Sequence, residues 1–161
     1  MTLAALIFLL SASTGAYQID GVPFVKQETL YCGPASLASV MAYYGRAVDQ
    51  HTIADSVYCE KLGGALITDM ENYAQKEGFH TELGQGTIDD IKASLDKGRP
   101  VIVLVDLGFW LFSKPHYLVV MGYDDRGFLA HTGYEAARSF SYPSFRKIWQ
   151  KKGSSFLVIF P

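Results

Sequence analysis

The chain has 161 residues, 49% of them hydrophobic, with a formal net charge of -2 and only 19% charged residues. That length and composition suit one domain with a real core, and the absence of a basic stripe argues against nucleic acid as a partner. Two cysteines form at most one bridge, and four scattered histidines without a Cys-x-x-Cys pair give no zinc pattern, so neither a metal nor a cofactor is expected.

The N-terminal run "LAALIFLL", residues 3–10, is unbroken and apolar. It is far shorter than the roughly 20 residues that span a bilayer. It has the length of a signal-peptide core, and the small residues Thr14 and Ala16 offer a cleavage site, although no basic residue precedes Lys26. The expectation is a signal peptide over 1–16, a single domain over 17–161, and a periplasmic or secreted location.

After an extended stretch at 21–27, the segment 32–44 carries Ala35, Leu37, Ala38, Val40, Met41 and Tyr44 at helical spacing, and Gly45 ends it. A second helix is predicted within 48–58 behind Asp49 as N-cap, and a third over 63–79 with Leu66, Met70, Tyr73 and Ala74 on one face. A fourth spans 86–98, capped by Thr87 and stopped by Gly98. The pattern then turns β-rich. Strands are predicted at 99–107, 116–123 and 128–131, the last two joined by the turn "DDRG", followed by a helix in 142–153 and a strand at 155–160. Helices first and antiparallel strands after them predict an α+β domain, a helical lobe against a sheet.

Cys32 stands at the predicted start of the first helix. Unpaired N–H groups and the helix dipole there favour a thiolate, which is the nucleophilic form. Gly33 would let a substrate approach the backbone, and Pro34 suits a first helical turn. Gln27, five residues upstream, supplies an amide donor that, with the Cys32 N–H, suits an oxyanion. His116, at a predicted strand start beside Pro115, is the nearest pattern match for a base. Each has a plainer alternative: a free cysteine is commonly a small buried apolar residue, and a histidine at a strand start is usually structural. Composition and periodicity do not choose between them.

"VPFVKQETLYCGPASLASVMAYYG" resembles the first motif of the papain-like cysteine peptidases of the bacteriocin-processing, double-glycine leader family. "RPVIVLVDLGFWLFSKPHYLVVMGYDDRGFLAH" resembles their second. The likeness runs from about Val22 to Pro161 and is nearest to the small exported stand-alone bacterial members. It implies a papain-like fold with Cys32 as nucleophile, His116 as base and Gln27 as oxyanion donor, acting on a peptide or protein substrate.

The sequence departs from that family at one position. The family carries an Asp sixteen residues after the His, where this chain has Thr132. Thr132 is the candidate third member. It can accept a hydrogen bond but offers no charge, and Asp106 and Glu135 are the possible substitutes. Three readings follow: a cysteine peptidase, a weakened peptidase-like domain that binds peptides, or an acyl transferase using the same thiol. Cys59 reads as a structural thiol. The four large apolar residues Phe109–Phe112 read as a substrate contact or a transient membrane contact.

Overall fold

The computed structural model describes residues 15–161. The expected signal peptide thus lies outside the described residues, apart from Gly15 and Ala16. Among the described residues no helix is long and apolar enough to cross a membrane, and no group of three or more His, Cys, Asp or Glu side chains is arranged to hold a metal ion.

Among the described residues, five helices and nine strands follow one another. A short β1 (Tyr17–Gln18) leads to α1 (Cys32–Tyr43) and α2 (Gln50–Val57). A small hairpin, β2 (Tyr58–Cys59) and β3 (Gly64–Ala65), comes before α3 (Ile67–Lys76). Strand β4 (His80–Gln85) and helix α4 (Ile88–Asp96) complete the first half. The second half holds β5 (Val101–Asp106), β6 (Pro115–Tyr123), β7 (Gly127–His131), β8 (Arg138–Ser141), α5 (Tyr142–Gln150) and β9 (Ser155–Phe160).

The main sheet runs in the order β4-β9-β5-β6-β7-β8, every pair antiparallel, with β1 added along the last residues of β6. β5 and β6 are central because their side chains are apolar on both faces: Val101, Ile102, Val103, Leu118 and Val120 are fully buried. Burying such a side chain contributes roughly 1.5–3 kcal/mol. Pro115 occupies the first position of β6, where a missing N–H costs little. Helix α1 lies against β6, with α2 and α3 beside it, and Leu37, Val40 and Met41 seal the contact.

The caps follow the sequence. Asp49 accepts from the amides of His51 and Thr52, and Thr87 forms a capping box with Asp90. Gly45 and Gly98 both take positive φ behind their helices. The third helix is shorter than expected. Gly63 turns the chain at φ +61°, Gly64 pairs with Cys59 in the hairpin, and Leu66 is an extended N-cap, so α3 starts only at Ile67. Glycine's backbone freedom suits that hairpin and disfavours a helical turn.

Candidate active site

Helix α1 begins at Cys32, and its N-cap, Tyr31, provides no side-chain hydrogen bond. The nearby backbone N–H groups of Tyr117, Gly33 and Cys32 itself favour the ionised form of the thiol. Burial outweighs them, and the thiol is pushed up from 9.0. This corrects the expectation of a lowered value: removing a thiolate from water costs more here than the helix start and three amides offset. Gly33 is also reassigned. It is buried, and a Cβ there would lie 3.0 Å from both the Ala65 Cβ and the Met70 Sδ, so its size serves the contact with β3 and α3 and not a substrate. Cys59 is a free thiol like Cys32, and the two form no bridge.

Strand β6 brings His116 in beside Tyr117, the residue whose backbone N–H lies near the thiol. Pairing with β5 sets His116 opposite Val105, and the imidazole is 2% exposed. Its Nε2 lies 2.7 Å from the carbonyl oxygen of Thr132. A carbonyl only accepts, so Nε2 carries the hydrogen and Nδ1 keeps its lone pair. Burial pulls the imidazole below 6.5; the Thr132 carbonyl opposes this and the Lys114 charge adds to it. Both shifts favour the uncharged forms, a neutral thiol and a neutral imidazole.

Position 132 does meet His116, but through the main chain. The Thr132 hydroxyl faces away and accepts from the amides of Tyr134 at 3.2 Å and Glu135 at 2.8 Å. Neither carboxylate substitute reaches the imidazole. Asp106 is paired with Pro115 in the sheet, and its carboxylate accepts from Gly108 N, Lys114 N and Ser113 Oγ at 2.6–2.8 Å. Burial would raise it, but those three donors and Lys152 hold it well below the usual carboxylate range. The Glu135 side chain is exposed and lies 3.5 Å from Arg138.

Gln27 is buried, and its amide meets the same loop. Its backbone N–H donates to the Gly133 carbonyl at 2.9 Å and its Nε2 to the Tyr134 hydroxyl at 3.1 Å. Its Oε1 is buried without a hydrogen-bond partner. The Tyr134 ring stacks on the His116 imidazole, with centroids 5.5 Å apart and planes within 10°. Tyr134 thus spans the two groups that the sequence reading treats separately, and sequence reasoning missed it. The only available signal was an aromatic residue after a glycine, two positions beyond Thr132. His131 is no rival base: its Nε2 is bonded to the Val22 carbonyl and its Nδ1 accepts from the Ala137 amide.

Residues 19–155 match the family described as Peptidase_C39 like. Among curated proteins none matches the sequence. Among solved structures, a C39-like peptidase from Bacillus anthracis superposes with TM-score 0.76 at 16% identity, covering 91% of this chain and 98% of that one. The peptidase domain of Streptococcus ComA, a bifunctional ABC transporter involved in quorum sensing, gives 0.69 at 27% identity, covering 87% and 97%. A double-glycine motif protease from an AMS/PCAT transporter, solved with its leader peptide, gives 0.72 at 20% identity, covering 90% and 94%. The fold is the α+β, papain-like one expected.

Proposed function

Because the chain belongs to the C39-like peptidase family, whose fold and relatives are those of cysteine peptidases, we propose that it cleaves peptide bonds with Cys32 as nucleophile and His116 as base. The observation that carries this reading is the convergence of three parts. A thiol sits at a helix start with no side-chain cap, near the backbone N–H of Tyr117. The neighbouring His116 has Nε2 held by a carbonyl, and the Gln27 amide lies beside the same loop.

The chemistry follows from the protonation states. The thiol proton passes to His116 Nδ1 as sulfur attacks the scissile carbonyl, so charge develops only as the bond forms. The oxyanion takes the Cys32 N–H and the Gln27 amide hydrogen that Tyr134 does not hold. Imidazolium returns its proton to the leaving amine, and a water activated by His116 then hydrolyses the thioester and regenerates the thiol. The Thr132 carbonyl fixes the tautomer and the ring plane without neutralising the imidazolium. The substrate is an extended peptide, by analogy with the leader peptide in the AMS/PCAT complex. The protein works outside the cytoplasm, the reading supported by the apolar run 3–10 and the small residues after it.

The test is turnover of a peptide library with mass-spectrometric readout, alongside labelling by an electrophilic thiol probe. Cys32→Ala should abolish both while Cys59→Ser keeps both. Labelling of Cys32 without any cleaved product would make the domain a peptide binder. Transfer of the acyl group to an added amine in preference to water would make it a transferase.

A further inference from the structure

The loop between β5 and β6 carries the largest exposed apolar group among the described residues. Phe109, Trp110, Leu111 and Phe112 are each more than 80% exposed. They sit on one tight turn, with the Phe112 amide bonded to the Phe109 carbonyl and Trp110 at φ +54°. The base of the turn is braced from below. Asp106 accepts from Gly108, Ser113 and Lys114, the Leu107 amide bonds to the Lys114 carbonyl, Lys151 Nζ donates to the Gly108 carbonyl, and Lys152 Nζ to Ser113 Oγ. A buried carboxylate with both oxygens engaged thus anchors the root of a turn whose apolar tip stands in solvent.

Charge identifies the partner. Residues 107–115, the loop, and 151–153, the turn after α5 that braces it, carry Lys114, Lys151 and Lys152 and no acidic residue, and α5 itself adds Arg146 and Lys147 without one. The one carboxylate at the root, Asp106, is buried and lies 3.5 Å from Lys152. The other residues hold nine basic side chains against sixteen acidic ones. A projecting apolar tip in a basic collar on an otherwise acidic protein matches an anionic lipid surface, where aromatic side chains insert at headgroup level and lysines meet the phosphates. A second copy would bring the same positive collar against the first.

We propose that the Phe109–Phe112 turn docks the protein on anionic membranes. The turn is joined to His116 by three residues, so docking holds the cleft at the bilayer surface.

The chain provides its own probe. Of its two tryptophans, Trp149 is buried with its Nε1 bonded to the Ser155 carbonyl, and Trp110 is 88% exposed. Tryptophan emission of the full chain is measured with phosphatidylcholine vesicles and with phosphatidylglycerol–phosphatidylcholine vesicles, and quenching is read with brominated acyl chains. A blue shift and quenching on the anionic vesicles are expected. Both should weaken about fivefold in apparent affinity in Lys114→Gln, which removes one charge from the loop itself, and with added salt. Substituting Phe109, Leu111 and Phe112 together by Ser should abolish the shift while circular dichroism stays unchanged. Because Trp110 reports the turn itself, binding through residues 1–16 alone leaves the emission unmoved and overturns the proposal. An equal shift on neutral vesicles also overturns it. A shift produced without lipid, by peptide or by raising the protein concentration, reassigns the turn to substrate or to a second copy.

Discussion

Gly133→Ala tests the link between the loop after β7 and the oxyanion donor. Gly133 takes φ +79°, and an added Cβ would lie 2.4 Å from Gln27 Oε1 and 3.0 Å from its Cγ and Cδ. The backbone conformation alone costs alanine about 1–2 kcal/mol. For a chain of this size, that corresponds to a fall in Tm of roughly 2–8 °C. The overlap is more consequential. Gln27 is buried, so its carboxamide cannot swing to solvent without losing the Tyr134 hydroxyl, and the displaced Nε2 no longer meets the oxyanion. Loss of one such donor lowers kcat by about 10²–10³. Peptide hydrolysis is measured for Gly133→Ala, Gln27→Ala and the double variant, with melting curves beside them. Coupled residues do not add, so in the Gln27→Ala background the second change should lower Tm and leave kcat nearly untouched. A Gly133→Ala enzyme with full kcat, or one that loses the same factor with and without Gln27, refutes the reasoning.

The pH dependence follows from the neutral pair. The acid limb of kcat/KM should fall below 6.5, and a thiol probe should show no thiolate step below 9.0; a probe titration with a midpoint near neutrality would contradict the burial argument. Stability responds at both ends. Below 6.5 the unfolded chain takes the His116 proton before the folded one does, so Tm drops as pH falls through that window. Above 9.0 the unfolded chain loses the Cys32 proton first, so Tm drops again as pH rises. Cys32→Ser should remove the part of the alkaline drop that begins first, below the tyrosines, and His116→Gln should remove its share of the acid one. Tyr134→Phe loses only the bond from Gln27 and should lower kcat severalfold, whereas Tyr134→Ala also uncovers His116 and should raise the midpoint of the acid limb; identical profiles for the two variants would remove the stack from the account. Thr132→Val strips the acceptor from two amides, at a cost of about 1–3 kcal/mol in stability. Thr132→Asp keeps an acceptor for them and should leave the rate within a small factor; a large gain would mean that a carboxylate there reaches His116.

The central strands were legible because β5 and β6 are apolar on both faces, a pattern that leaves few alternatives. The helices announced themselves through caps, Asp49, Thr87 and Gly98 above all. Other features escaped, Tyr134 among them. β4, "HTELGQ", is half exposed and belongs to the sheet only through β9, a partner more than seventy residues away. β8 and the two-residue strands are defined by pairing and not by composition. Cys32 and His116 were readable by position and family likeness, but their charge states were not, because burial comes from the assembled core. Asp106 illustrates the same limit. Its register next to Pro115 was foreseeable, yet the three donors that occupy it come from a loop whose conformation no spacing rule encodes.

The acceptor behind His116 is a peptide carbonyl, and every amino acid at position 132 brings one. Replacing side chains one at a time around the imidazole would therefore recover Cys32, His116, Gln27 and the stacked Tyr134 and report no hydrogen-bond acceptor for the ring, although one is bonded there at 2.7 Å. The device is invisible to such scanning and cannot be lost to a single codon change that preserves the chain's path. What can remove it is a change in that path: an insertion between β7 and β8, or an ester in place of the peptide bond after Thr132, which weakens the carbonyl as an acceptor without altering any side chain.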